Sequence, residues 1–202
     1  MQLKCPLMNI GIAVSMAVCG MCLYAKTSSA NGTVAKVVEK SDAVAQFRYA
    51  EMLRDGRGVA KNVREAVTWT RKAADGDLAA AQCQMGLFYM NGIGVDRDED
   101  KAVEWLNKAA AQNHVQAQYN LGIYYAKFTD KEAVRLAVKW LKKAVEQDYA
   151  DAQFNLAQLY LNPHHPASRE RDAGRLAIAL LRHAAAKGHT AAKAKLEELE
   201  IK

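Results

Sequence analysis

Three columns of residues return along this chain at one fixed interval. Ala45-Gln46 recurs as Ala81-Gln82, Ala117-Gln118 and Ala152-Gln153, at spacings of 36, 36 and 35 residues. Trp69, Trp105 and Trp140 repeat at 36 and 35, and Lys72-Ala73-Ala74 returns as Lys108-Ala109-Ala110, Lys143-Ala144-Val145 and His183-Ala184-Ala185. A constant period between 20 and 50 residues leaves few architectures open, because so short a unit must stack on its neighbours to bury an apolar face. The spacing predicts a repeat domain over 41–202, with units at about 41–76, 77–112, 113–148 and 149–188 and a polar-faced capping helix at 189–202.

Each unit reads as two helices. Ala81 to Tyr89 carries apolar residues at the 3–4 spacing of an amphipathic helix and runs into Asn91-Gly92 and Gly94, where glycines permit a tight reversal. Asp55-Gly56-Arg57-Gly58 does the same one unit earlier. Asn62 and Asp98 are suitable N-caps for the second helices. Those helices carry Ala-Val-x-Trp-x-x-Lys-Ala-Ala, whose alanines allow close approach. The tryptophans Trp69, Trp105 and Trp140 are the expected core fillers. The third unit lacks the Gly-x-Gly turn, with Lys127-Phe128-Thr129-Asp130 there. The fourth has Leu180 in place of Trp and an inserted Asn162-Pro163-His164-His165-Pro166.

The N-terminus has a different grammar. Lys4 precedes an apolar stretch from Leu7 to Tyr24, and Ser28-Ser29-Ala30 sets small residues at −3 and −1 of a cut after Ala30. That is the pattern of a secretory signal over residues 1–30, followed by a linker at 31–40. An uncleaved membrane anchor is the alternative, because 18 residues is also the lower edge of spanning length. Either way the repeats are expected outside the cytoplasm, in a periplasm or anchored to an inner membrane. Removal of the segment takes Lys4 and Lys26 and no acid, so a formal charge of +6 falls to +4. Cys5, Cys19 and Cys22 leave with it, and Cys83 alone cannot form an internal disulfide. Basic and acidic residues are interspersed with no block of like charge, so no nucleic-acid tail is indicated.

Ala117 through Leu121-Gly122 to Tyr125 resembles the first half of a Sel1-like repeat, and Gly92-Ile93-Gly94-Val95 with Lys101-Ala102-x-x-Trp105-x-x-Lys108-Ala109-Ala110 resembles the second. The resemblance covers nearly all of residues 41–202. It implies an all-α, right-handed α/α superhelical solenoid related to tetratricopeptide repeats, in which first helices line a concave, partner-binding face. On that geometry the binding candidates are Phe47, Tyr119 and Phe154, two residues after each marker alanine. Glu51, Leu87, Ile123 and Gln158 follow at six, and Arg54, Met90, Ala126 and Leu161 at nine. The alternative for the aromatic column is packing against the neighbouring unit. Leu87 and Ile123 widen the apolar stripe beyond what packing requires, as a binding surface does.

Catalytic motifs are not found: no nucleophile elbow, phosphate loop, HExxH or CxxC pair. His114 and His189 are read into the inter-helix turn column with Asp77 and Tyr149, and His183 into the Lys72 column. His164-His165, the one adjacent pair, would need a third ligand such as Glu170 or Asp172, and a proline-bounded surface turn is the default reading. Cysteine-rich secreted members of the resembled family are assigned β-lactam chemistry, but their defining cysteine pair in each unit is missing here. The expectation is therefore a non-catalytic binding module without cofactor or metal. Its partner is a protein or peptide in the cell envelope, with an adaptor or regulator role. An immunity or inhibitor protein neutralising a toxic effector is the alternative, and a cell-wall or β-lactam enzyme is disfavoured.

Overall fold

The computed structural model describes residues 34–200. The signal segment, its cut after Ala30, and Cys5, Cys19 and Cys22 lie outside the described residues. After a short helical segment at 34–38 come α1 (Ala43–Asp55), α2 (Val63–Asp75), α3 (Ala79–Asn91), α4 (Glu99–Ala111), α5 (Val115–Tyr125), α6 (Lys131–Glu146), α7 (Ala150–Leu161), a 3₁₀ turn (Pro166–Arg169), α8 (Ala173–Ala186) and α9 (Thr190–Glu200). No strand occurs among the described residues. The chain divides into two compact units between Trp105 and Leu106.

In the first unit α1 packs on α2 and α2 on α3. Asp42 caps α1 by accepting the Ala45 N–H at 2.8 Å, and Asn62 caps α2 through the Glu65 N–H. One cluster gathers Tyr49, Leu53, Val59 and Trp69, and a second gathers Val67, Met85, Phe88, Tyr89 and Trp105. The Gly-x-Gly turn holds them in register. Gly94 sits at φ +69°, and a Cβ there would fall 2.9 Å from Val67 Cγ2 and 3.2 Å from Val63 Cγ1. Only glycine fits both that backbone and that contact.

In the second unit α5 packs on α6, α6 on α7, α7 on α8, and α8 on α9. Its core runs through Leu141, Leu156, Tyr160 and Leu181, with alanines where helices approach. The marker Ala-Gln acquires a physical meaning here and in the first unit. Gln82, Gln118 and Gln153 are buried, and their Nε2 groups donate to Asp77, Asn113 and Asp148 at 2.8, 2.9 and 3.1 Å. Those three turn residues all have φ near +63° to +65°. Each glutamine thus pins a left-handed inter-helix turn five residues before it and gives its buried Nε2 donor a partner, although Gln153 Oε1 stays buried without one.

Two expectations are corrected. Trp140 is only half-buried, with Lys139 and Lys143 over its ring, whereas Trp69 and Trp105 are 6% and 9% exposed. The invariant core position is one residue later: Thr70, Leu106, Leu141 and Leu181 are at most 1% exposed. Likewise Asp77 stands one position before the His114, Tyr149 and His189 column, which supplies helix starts. His114 and His189 accept from the Ala117 and Ala192 N–H through Nδ1.

Candidate binding face and cleft

The five candidates of the first unit are half-buried and mostly answered within it. Phe47 and Met90 pack against the Phe88 cluster. Arg54 donates to Asp55 at 2.8 Å and to Gln84 Oε1 at 3.1 Å, with Glu51 at 3.9 Å. Those bonds hold the Arg54 guanidinium above its ordinary pKa and the Asp55 carboxyl below its own. Leu87 is half-buried on α3, and Cys83, two residues past its marker alanine, is buried.

The second unit is different. Tyr119 on α5 meets Tyr149 with ring centroids 5.1 Å apart and accepts a hydrogen bond from Asn155 Nδ2 at 3.2 Å. Phe154 on α7 stacks on His189 at 4.8 Å. His189 bonds Asp151 through Nε2 at 3.2 Å while its Nδ1 caps α9. The aromatic column therefore lies half-covered by the repeat that follows it, the alternative that the sequence left open. Burial, with Asp151 and Tyr149 adding to it, raises the Tyr119 phenol pKa.

Beside Tyr119 the same helices open into a cleft of about 160 Å³ lined by Ile123, Ala126, Lys127, Leu141, Asn155, Gln158 and Leu159. Its origin is local. α5 spans 11 residues and stops at Tyr125, whereas α3 spans 13 and continues through Met90 and Asn91 to the Gly92 reversal. Without Gly-x-Gly the third repeat turns early, through Ala126 and Lys127, and its shortened helix leaves space against α7. Three predicted residues, Ile123, Ala126 and Gln158, line this cleft. Leu161 packs against the core below it. Asn155, Lys127, Leu159 and Leu141 were missed, although the lost Gly-x-Gly marked where to look.

The rim is polar. Lys127 Nζ lies 5.7 Å from the Tyr124 ring centroid and pairs with no carboxylate among the described residues. The Gln158 side chain forms no hydrogen bond among them either. Phe128, 42% exposed, extends the aromatic edge through Tyr124 at 5.5 Å.

The histidine pair does not converge. His164 is exposed, while His165 is buried, accepts the Ala167 N–H at 3.2 Å through Nδ1, and leaves Nε2 without a partner. The surface-turn reading therefore holds for one of the two. Among the described residues no group of three or more His, Cys, Asp or Glu side chains is placed to hold a metal ion. His183 shares its Nδ1 with Gln153 Nε2 at 2.7 Å and belongs to the turn network of Asp148 and Lys187. No described helix is long and apolar enough to cross a membrane.

A family model described as Sel1 repeat matches residues 43–78, 79–114, 115–149 and 150–189. Among solved structures, c5321, a protective antigen of uropathogenic Escherichia coli strains with an SLR fold, superposes at TM-score 0.74 and 25% identity, over 85% of this chain and 36% of its own. A Sel1 repeat protein from Oxalobacter formigenes superposes at 0.67 and 31% identity, over 84% of this chain and 48% of its own. This chain thus spans between a third and a half of either. Immunity protein PA5088 from Pseudomonas aeruginosa aligns over 91% of this chain and 84% of its own, but at TM-score 0.43 and 16% identity, too distant to carry an argument. The search of curated proteins found no match.

Proposed function

Since this chain belongs to the Sel1 repeat family, an all-helical repeat fold that typically serves contact between proteins, we propose that it is an exported, non-catalytic module that holds a protein partner in the cell envelope as an adaptor or regulator. The observation that carries this reading is the face built by α5 and α7. It joins a half-covered aromatic column to an open cleft where Lys127 pairs with no carboxylate, and the Gln158 side chain forms no hydrogen bond, among the described residues. Preformed surfaces with aromatic anchors beside unsatisfied polar groups are suited to binding another chain. Export is supported by the apolar stretch at Leu7–Tyr24 and the small residues before Ala30.

The test is capture from native envelope by the full chain carrying a C-terminal tag, beside the Tyr119→Ala/Phe154→Ala double variant. Each substitution should weaken capture by about 1–3 kcal/mol, as aromatic anchors do. Both rings also pack against the following repeat, so circular dichroism must first show the variant folded. Equal capture by a folded variant would remove this face from the proposal. N-terminal sequencing of the recovered chain tests export: a start at Asn31 supports it, and an intact Met1 in the cytosolic fraction refutes it.

A further inference from the structure

The α5–α6–α7 cleft has a size that restricts its occupant. Sites for drug-sized ligands and cofactors measure roughly 300–1,000 Å³, whereas this one measures about 160 Å³. A cavity of about 150 Å³ admits a single benzene ring, so one apolar side chain of about Leu or Met size fills this cleft. The floor suits such a group, with Ile123, Ala126 and Leu159 around the fully buried Leu141.

The rim is charged in one direction. At the C-terminal end of α5, Lys127 is exposed and without an ion-pair partner among the described residues. Toward the N-terminal end of α7 and outside the cleft lining, Asp151 lies one helical turn before Asn155, its side chain 51% exposed and bonded to His189 Nε2 at 3.2 Å. A segment crossing the cleft meets the Lys127 cation at the α5 end and no carboxylate among the lining residues. Along the cleft stand the Gln158 amide, which bonds nothing among the described residues, and Asn155, whose Nδ2 is already held by Tyr119 Oη and the Asp151 carbonyl. These side-chain amides can take over the hydrogen bonds of an extended backbone, which loses its water on docking.

We infer that the cleft receives one Leu- or Met-sized side chain of a partner protein segment in which the adjoining residue is Asp or Glu, with that carboxylate on Lys127. This deepens the protein-binding reading above and rests on it. Lys127 sets polarity: the acidic end of the segment lies toward it. In repeat two, Met90 and Asn91 continue the helix through the positions equivalent to Ala126 and Lys127.

The experiment titrates the full chain into fluorescein-labelled, end-capped heptapeptides by anisotropy. The central residue is Leu or Ala, and the residue after it is Glu, Gln or Lys. The Leu-Glu peptide is expected to bind at least about tenfold tighter than Leu-Lys or Ala-Glu, a margin equal to one decade in Kd. In about 1 M salt, where the Debye length falls to roughly 3 Å, the preference for Glu over Lys should shrink while that for Leu over Ala persists. Lys127→Glu should reverse the Glu-over-Lys order, and Ala126→Trp, which fills the cleft, should abolish the Leu preference. Lys127 is solvent-exposed, so its variant remains informative if Ala126→Trp fails to fold. An unchanged order in Lys127→Glu, or no discrimination among the peptides, overturns the inference. Envelope capture that depends on Tyr119 and Phe154 without peptide discrimination would defeat the cleft assignment alone; wild-type chain that captures nothing would defeat the parent reading.

Discussion

Gly122 in α5 and Gly174 in α8 are both helical glycines of the second unit, and alanine at the two positions should move stability in opposite directions. A methyl group at Gly174 meets nothing within 4 Å. Its effect is then restriction of the unfolded chain, a gain of about 0.5–1 kcal/mol. A methyl group at Gly122 would fall 2.6 Å from Leu141 Cγ, 2.8 Å from Cδ2 and 3.2 Å from the Leu141 backbone nitrogen. Leu141 is 0% exposed, its side chain can yield only toward the cleft that it floors, and its nitrogen moves only with α6. Overpacking of this kind costs about 1–3 kcal/mol against the same backbone gain, which leaves a net loss of roughly 0–2.5 kcal/mol, centred a little above 1. For a unit of this size each kcal/mol shifts Tm by about 4–8 °C. Thermal and urea unfolding followed by circular dichroism should therefore show Gly174→Ala a few degrees above wild type and Gly122→Ala several degrees below. Combining Gly122→Ala with Leu141→Ala should cost less than the two single losses added, because the second substitution removes the clashing atoms. A Gly122→Ala protein that melts above wild type would refute the close approach of α5 to α6.

Trp105→Ala should cost about 3–5 kcal/mol by leaving a core cavity; Trp140→Ala, at a half-buried position, should cost well under half as much in the same urea titration. Equal losses would mean that the tryptophan column is uniform after all. Burial lowers the pKa of His165 and of His114, so both are kept neutral in the fold while the unfolded chain binds a proton near pH 6.5. The unfolded state thus holds more protons as the pH drops below about 6.5, and stability should fall from there until the lowered folded pKa values are passed. His165→Asn keeps an acceptor for the Ala167 N–H without a titrating group, and should flatten part of that slope in Tm measured from pH 7.5 to 4.5. An unchanged slope would exclude His165 as a contributor.

The period was legible because every unit solves the same packing problem. Ala66, Ala102, Ala137 and Ala177 are each fully buried at a helix contact where nothing larger fits, so one residue type returns at one spacing. The Ala-Gln marker was legible for a second reason, since a buried Nε2 donor needs an acceptor and the left-handed turn five residues earlier supplies it. Trp140 was read as core because its column is named by its largest member. Volume alone does not tell which side of a helix a ring takes, and there the smaller Leu141 holds the interior.

Sequence by itself determined the solenoid, its register and its departures in the third and fourth repeats, because periodic burial writes itself into residue choice. Only the tertiary structure decided what those departures do. The lost Gly-x-Gly shortens α5 and opens the cleft, the His164-His165 pair divides between solvent and interior, and Tyr119 and Phe154 are half-covered by the next repeat. Each of these depends on how far one helix runs before another reaches it. That length is set by packing between segments about 30 residues apart, and no local pattern carries it.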